Sequence, residues 1–200
     1  MRQDFEIFVF EYLKNLKNCF SSKNIEKLHF LSEKILEIWE ENNCLFICGN
    51  GGSSANAEHI ANDFHYGIAE ISNNKNKGLK VDALTSNSAI VTCLANDIGY
   101  ENIFSYQLSV KANKKDLLLV LSGSGNSKNI IKALEKANEI GIFSVAVLGF
   151  DGGKAKDIAT LPIHFPIDDM QISEDLQMIS MNICMKWIAE LTKNRGTCQN

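Results

Sequence analysis

The stretch Leu117-Leu-Leu-Val-Leu-Ser-Gly-Ser-Gly-Asn-Ser-Lys128 is followed at once by a helical pattern of apolar residues. An apolar run that ends in glycine and serine predicts a buried strand leading through a tight loop into a helix. The first-turn N–H groups, the helix dipole and the hydroxyls of Ser122, Ser124 and Ser127 are together suited to hold one phosphate. Such loops also contain glycine and serine for local reasons, because glycine permits unusual dihedrals and serine caps helices. The loop alone leaves both interpretations open.

The spacing of the loop excludes the common nucleotide-binding motifs. No Lys-Ser or Lys-Thr pair closes a Walker A pattern, and Gly123 and Gly125 are not followed by the third glycine of a dinucleotide fingerprint. We therefore expect a phosphorylated small molecule, rather than ATP or NAD, as the ligand.

Apolar periodicity along the chain alternates between helical and extended spacing. Helices are predicted at 2–20, 24–42, 53–64, 88–94, 101–107, 127–140 and 173–191, and strands at 44–48, 79–84, 116–121, 143–148 and 163–165. Residues 72–78 are expected to form a surface loop, and Asn96-Asp-Ile-Gly99 a turn between two helical segments. This alternation indicates an α/β fold with a mostly parallel sheet covered on both faces, in which ligands bind beyond the carboxyl ends of the strands.

Composition limits the class of protein. The 200 residues, 45% of them hydrophobic, suffice for one domain with a sizeable core. The 20 basic and 24 acidic residues are interspersed, so no basic stripe is available for a nucleic acid. No apolar run approaches the ~18 residues needed to cross a bilayer. The six cysteines show no CxxC spacing and follow no signal peptide. We therefore expect reduced thiols in a soluble, cytoplasmic protein with neither nucleic-acid nor membrane partners.

A second glycine-rich turn, Cys48-Gly-Asn-Gly-Gly-Ser-Ser54, follows the first predicted strand and also leads into a helix. Parallel strands end at the same edge of a sheet, so two helix starts suited to anions are expected to face one crevice. Both loops in one chain would arise by chance less often than either loop alone.

Five segments occur in the order and spacing found in bacterial phosphoheptose isomerases: CGNGGS at 48–53, AEHIA at 57–61, LANDIG at 94–99, LSGSGNS at 121–127 and EDLQ at 174–177. The chain resembles this family, a branch of the sugar-isomerase (SIS) superfamily, through nearly its whole length. The resemblance implies a three-layer sandwich in a single SIS domain over 1–200, with an α/β core at 43–195. It also implies that the N-terminal helices at 1–42 pack into a homotetramer, with active sites between subunits.

The activity that the resemblance implies is that of an aldose-ketose isomerase. Sedoheptulose 7-phosphate would be converted to D-glycero-D-manno-heptose 7-phosphate through an enediol or enediolate, supplying heptose for surface polysaccharide such as lipopolysaccharide or capsule. By position, the phosphate cradle would consist of Ser53, Ser122, Ser124, Ser127 and the amide of Gly123, and the sugar contacts would be Asn50, Gly51, Gly52, Asn96 and Asp97. An ordinary turn is the alternative for Asn96-Asp97, since both residue types favour turns.

The acid-base positions depart from the family pattern. The family has a glutamate four residues after a histidine on the first active-site helix, and a second histidine eight residues after the C-terminal glutamine. Those positions hold His59, Asp63, Gln177 and Met185 here. His59 and Asp63 share one helix face, but Asp63 is shorter by one methylene and Met185 cannot exchange a proton. We expect Asp63 to be the base, Gln177 to orient the reacting oxygens and His59 to support the site.

Some family members bind zinc at the same four positions. A thioether is a poor zinc ligand, so Met185 argues against a zinc site of that kind and no cofactor is assigned. Because Met185 replaces the family's second histidine, the acid has to be another group, and His65, Glu174 and a bound water are the candidates. Two other functions stay open: a non-catalytic SIS tetramer that binds proteins, like the DnaA initiator-associating protein, and an isomerase of another sugar phosphate.

Overall fold

The computed structural model describes residues 2–72 and 77–197, with side chains up to Lys193. Its α-helices are α1 (Arg2–Asn18), α2 (Ser22–Glu40), α3 (Gly52–Asn62), α4 (Ile68–Ile71), α5 (Ser88–Ile98), α6 (Ile103–Lys111), α7 (Lys128–Ile140), α8 (Ala155–Ile158) and α9 (Met170–Thr197). Its strands are β1 (Cys44–Gly49), β2 (Lys80–Ala83), β3 (Leu117–Ser122), β4 (Phe143–Leu148) and β5 (Leu161–His164). A π-helical turn, Asp63–Gly67, joins α3 to α4, and a 3₁₀ turn, Tyr100–Asn102, precedes α6. Part of the loop expected at 72–78 lies outside the described residues.

The five strands form one sheet in the order β2-β1-β3-β4-β5, and every neighbouring pair is parallel. From β1 the chain adds β2 on one side, and β3, β4 and β5 follow on the other. The order of strands therefore reverses between β1 and β3, and a crevice opens there beyond their carboxyl ends. The two glycine-rich loops of the sequence follow these two strands.

Alternate residues of the central strands point into two separate cores. Leu117, Leu119 and Leu121 join the core that α2, α3 and α9 cover, whereas Leu118 and Val120 join the core beneath α6 and α7. The three-layer α/β sandwich with a five-stranded sheet is thus confirmed.

The two N-terminal helices differ in burial. Leu28, Leu31 and Ile35 of α2 are buried in the core, so α2 is one of the helices that cover the sheet. Of the residues described in α1, Leu16 alone is buried. The remaining large apolar side chains of α1 are exposed: Phe5, Ile7, Phe8, Val9, Phe10 and Leu13.

Three local predictions were wrong. Asn96 and Asp97 do not form a turn, because α5 continues to Ile98 and ends at Gly99, whose φ of +92° suits glycine. The helix expected to run to 64 leaves α-helical geometry at Asp63, where the π-helical turn begins. The last helix starts at Met170, before Ser173, and the Asp169 carboxylate accepts the N–H of Ile172 at 2.9 Å.

The described cysteines are free thiols in differing surroundings. Cys19, Cys48 and Cys184 are buried, Cys44 is half-buried and Cys93 is exposed. Burial raises the pKa of Cys44 to about 12 and that of Cys184 to about 11. Cys198 lies outside the described residues. None of the described helices has the length and apolar content that crossing a membrane requires.

Candidate active site

The loop after β3 is organised by its own serines. The Ser122 hydroxyl accepts the N–H of Gly125 at 3.1 Å, and the Ser124 hydroxyl accepts the N–H of Asn126 at 3.3 Å. Both oxygens act as acceptors in these bonds, so each hydroxyl keeps its hydrogen to donate. Ser127 precedes α7, and its side chain makes no capping hydrogen bond. Three hydroxyls beside a helix start thus remain able to donate to an anion.

A second loop, which follows β4, is hydrogen-bonded to the serine loop. The carbonyl oxygens of Gly123 and Gly125 accept the N–H groups of Gly149 and Ala155, each at 3.0 Å. A Cβ on Gly125 would lie 2.0 Å from the carbonyl oxygen of Gly152, and φ at Gly125 is +63°. Glycine is therefore required at 125 for two reasons: the backbone conformation and the approach of the second loop.

Asn50 connects the two glycine-rich loops. Its Nδ2 donates to Asn129 Oδ1 at 2.9 Å, and Asn129 Nδ2 donates back to Asn50 Oδ1 at 2.8 Å. The Tyr100 hydroxyl also donates to Asn50 Oδ1, at 2.9 Å. These bonds bring together the loop after β1, the first turn of α7 and the segment that follows α5.

Gly51 and Gly52 lie at the start of α3, where a carboxylate is already present. A Cβ on Gly52 would meet both carboxylate oxygens of Glu174 at 2.4 Å, so a side chain at that position would displace the carboxylate. The positive end of the helix dipole favours a negative charge there. The start of α3 therefore already has a carboxylate of the protein beside it, and the start of α7 is the better place for a phosphate.

Ser53 and Gln177 are buried and bonded to each other. Gln177 Nε2 donates to the Ser53 hydroxyl at 3.0 Å, and Asn56 Nδ2 donates to Gln177 Oε1 at 3.0 Å. Asn56 also donates to the carbonyl oxygen of Glu174 at 3.0 Å. This network holds α9 against α3 and fixes the orientation of the Gln177 amide.

His59 and Asp63 form a pair one turn apart. His59 Nε2 lies 3.4 Å from Asp63 Oδ2, with the histidine side chain 61% exposed and the aspartate 24% exposed. Asp63 opens the π-helical turn, a feature that often occurs at functional sites. Asp63 Oδ1 and the Met185 sulfur both lie 3.9 Å from the Cβ position of Gly67. Asp63 and buried Met185 therefore both lie near Gly67, and Asp63 has exposed His59 as its partner.

Asn96 and Asp97 lie in the last turn of α5 and are exposed. Asn96 Nδ2 donates to Asp97 Oδ1 at 2.8 Å, and the Cys93 thiol donates to Asp97 Oδ2 at 3.4 Å. That hydrogen bond, and secondarily the charge of Asp97, raises the pKa of Cys93. Tyr100, three residues after Asp97, is the contact that joins this segment to Asn50.

The donor set does not fit a zinc ion of the kind some family members bind. His59 and Asp63 are paired, but the amide oxygen of Gln177 already accepts from Asn56, and Met185 offers only a thioether. Within residues 2–72 and 77–197 no group of three or more His, Cys, Asp or Glu side chains is placed to hold a metal. No chemical step is therefore assigned to zinc.

Sequence reasoning missed Asn56, Tyr100 and Asn129. Asn56 follows Ser53 by three residues, so helical spacing alone was a signal that it shares the face of Ser53. Tyr100 and Asn129 contact Asn50 from 50 and 79 residues away. No local pattern marks such pairs.

This sheet order, with a serine-rich loop beside the point where the order reverses, defines a SIS domain. The family model described as SIS domain matches residues 10–149. Two relatives named phosphoheptose isomerase are similar to most of the chain. That of Helicobacter pylori strain P12 is 34% identical over 168 residues, covering 80% of this chain and 84% of the relative. That of Clostridium acetobutylicum is 35% identical over 161 residues, covering 80% of each.

A solved structure agrees with these relatives. Phosphoheptose isomerase from Neisseria gonorrhoeae superimposes with a TM-score of 0.81 at 25% identity, covering 94% of this chain and 98% of that one. The chain belongs to the SIS domain family and, within it, to the phosphoheptose isomerases. The comparisons favour the isomerase over the protein-binding tetramer and over an isomerase of another sugar phosphate.

Proposed function

We propose that the protein converts sedoheptulose 7-phosphate to D-glycero-D-manno-heptose 7-phosphate and so supplies heptose for surface polysaccharide. The observation that carries the proposal is the serine loop at the start of α7, tied by Asn50 and Asn129 to the loop after β1. It places hydroxyl donors and a helix start at the crevice where α/β proteins bind ligands. Membership of the phosphoheptose isomerases supplies the substrate class.

The substrate phosphate binds to Ser122, Ser124 and Ser127 and to the amide of Gly123. Two serine oxygens already accept backbone N–H groups within the loop, so their hydrogens remain available to donate to the phosphate. Ser53 supports this end of the site, since Gln177 and Asn56 hold it in place. Preorganised donors lower the cost of ordering the site when the anion binds.

The reacting carbons lie away from the phosphate. Asp63 follows Ser53 by ten residues, in the π-helical turn that continues α3. In a ketose 7-phosphate the charged group and the carbonyl are likewise at opposite ends of the molecule. A substrate held by its phosphate at the α7 start can therefore extend toward the His59–Asp63 pair.

The pair provides both proton transfers of the isomerisation. The Asp63 carboxylate takes the proton from C1 and returns it to C2. The imidazole of His59 gives a proton to O2 and takes one from O1, so the pair ends each cycle as it began. The 3.4 Å separation of the two side chains supports this assignment, because acid and base must reach adjacent atoms of one substrate.

Glu174 and His65 are weaker candidates for the acid. The Glu174 carboxylate lies beside Gly52 at the start of α3, at the other end of that helix from Asp63. His65 follows Asp63 by two residues, and side chains at that spacing do not face each other on a helix. Gln177, held by Ser53 and Asn56, is assigned an orienting role.

The direct test is incubation of the purified protein with sedoheptulose 7-phosphate, followed by NMR of the sugar carbons. We expect an aldose heptose phosphate to accumulate until equilibrium. A parallel incubation with other ketose phosphates measures selectivity. Absence of any aldose product from the heptulose would overturn the proposal.

We further propose a homotetramer assembled through α1. The exposed apolar residues of α1, with Phe5, Phe8 and Phe10 each more than 60% exposed, support a partner for this helix. Sedimentation of the wild type and of a Phe5→Ser/Phe8→Ser variant tests it. The wild type should sediment as a tetramer and the variant as smaller species, whereas a monomeric wild type would refute the assembly.

A further inference from the structure

A cavity of about 430 Å³ lies between the start of α2, the end of β5 and α8. Lys23 and Lys27 of α2, Lys156 of α8 and His164 of β5 line it. None of these residues belongs to the phosphate loop or to the His59–Asp63 pair. No carboxylate is among the described residues that line it.

The three lysines place positive charges around the cavity, and in the described part of the chain no carboxylate pairs with them. Within the described part of the chain none of them is within 4.0 Å of a carboxylate, although other lysines, such as Lys111 and Lys132, have such partners. Lys27 donates to the carbonyl oxygen of Pro162. Burial lowers the pKa of Lys27, and the neighbouring charges of Lys23 and Lys156 lower it further. Three cations that repel one another around a cavity form a site that an anion would stabilise.

The walls of the cavity are held in place by hydrogen bonds. Asn24, which is buried, donates to the carbonyl oxygens of Cys19 at 3.2 Å and of His164 at 3.0 Å. His164 Nε2 lies 2.9 Å from the carbonyl oxygen of Phe150. The start of α2, a helix of 19 residues capped by Ser21, adds its positive end to the same cavity. The lysines and the start of α2 are therefore already in position before a ligand binds.

We propose that this cavity is a second anion-binding site, formed by Lys23, Lys27, Lys156 and His164, which takes the phosphate group of a small phosphorylated ligand. The site is separate from the serine loop. Gly152 lies between the two, because its Cβ position is 2.8 Å from Lys156 Cδ while its carbonyl oxygen contacts Gly125 of the serine loop.

Titration calorimetry with inorganic pyrophosphate, at low and at 0.3 M salt, tests the proposal on the full-length protein. We expect two binding events per subunit in the wild type at low salt. Lys23→Gln/Lys156→Gln should weaken one event about tenfold or more, since charged hydrogen bonds are lost. Ser124→Ala/Ser127→Ala should weaken the other. Lys136→Gln, which removes one positive charge on α7 where Lys136 pairs with Glu139, is a control for the loss of surface charge away from the cavity.

The outcomes separate the two sites. An event that persists in the serine variant and disappears in the lysine variant supports the second site, whether or not the serine loop binds phosphate. If the lysine variant and Lys136→Gln give the same isotherm as the wild type, the cavity is an ordinary solvated surface and the proposal is wrong. Equal loss in the lysine variant and in Lys136→Gln would show a net-charge effect and would also overturn it.

Discussion

Asn50 and Asn129 exchange two amide hydrogen bonds, of 2.9 and 2.8 Å, across the point where the strand order reverses. Asn129 is 1% exposed, so neither water nor another side chain can replace its partner at low cost. The pair joins the loop after β1 to the start of α7. The phosphate end of the site therefore depends on contacts between two segments that are distant in sequence.

A double-mutant cycle of Asn50→Ala and Asn129→Ala should show that the pair is coupled. We expect a coupling free energy of about 1–3 kcal/mol, because each single change leaves the amide nitrogen of the other asparagine without its hydrogen-bond acceptor. Urea unfolding of the four proteins measures it. Ser109→Ala, on the exposed surface of α6, has no hydrogen-bond partner in common with Asn129 and serves as the control, for which coupling to Asn129→Ala should be small. Additive effects of the two alanines would contradict the bonding described.

Ser124→Ala should mainly raise KM for sedoheptulose 7-phosphate. A phosphate contact remote from the reacting carbons contributes about equally to ground and transition states, so kcat should change little. Steady-state kinetics measure both constants. Ser109→Ala, on the exposed surface of α6, is the matched control. An unchanged KM in Ser124→Ala would argue against the phosphate assignment.

Asp63→Asn should lower kcat by about 10² or more, because the amide has the same shape and cannot accept the carbon proton. Loss of deuterium exchange between C1 of the ketose and solvent would locate the defect in proton transfer. Near-normal turnover in this variant would assign the base to another residue.

Met185→Leu is the control for the neighbouring position. Met185 is 6% exposed and packs beside the turn that Asp63 begins. A change of similar volume should cost less than about 1.5 kcal/mol of unfolding free energy and leave kcat nearly unchanged. A large fall in kcat at wild-type stability would mean that the thioether has a role in the site.

Cys93 should react slowly with iodoacetamide for an exposed thiol, because Asp97 raises its pKa. Asp97→Asn should speed the reaction several-fold by removing the charge that opposes the thiolate. Mass spectrometry in a Cys198→Ser background measures the rate, with Asp151→Asn as a control for loss of one negative charge. Buried Cys48 and Cys184 should stay unmodified in the folded protein. An equal rate in Asp97→Asn and wild type would contradict the contact.

Tyr12 should contribute to stability in a pH-dependent way. Its hydroxyl lies 2.5 Å from Asp175 Oδ2, and this hydrogen bond, with burial and nearby charge, raises the pKa of Tyr12 from 10.0 to about 12. The folded pKa is above the unfolded one, so the contribution is fully present below pH 10 and is lost as the pH rises through 12. Urea unfolding of wild type and Tyr12→Phe should therefore differ at pH 9 and converge toward pH 12. A constant difference would refute the linkage.

Much of the fold could be predicted from local patterns. The continuous apolar run from Leu117 to Leu121 predicted a fully buried strand, and the structure covers both faces of this strand. The glycine and serine residues that follow predicted a turn into a helix. The end of α5 could not be predicted in the same way. Asn96 and Asp97 favour turns in isolation, but the helix continues through them to Gly99. The π-helical turn at Asp63 likewise has no simple sequence signal.

The sequence by itself determined the class of fold and the position of the serine loop, because both depend on periodicity or on neighbours a few residues apart. The tertiary structure alone decided that Glu174 occupies the start of α3, that Asn129 holds Asn50, and that three lysines surround one cavity. These contacts join residues from different strands and helices. The order of strands in the sheet brings them together, and no local stretch of sequence encodes that order.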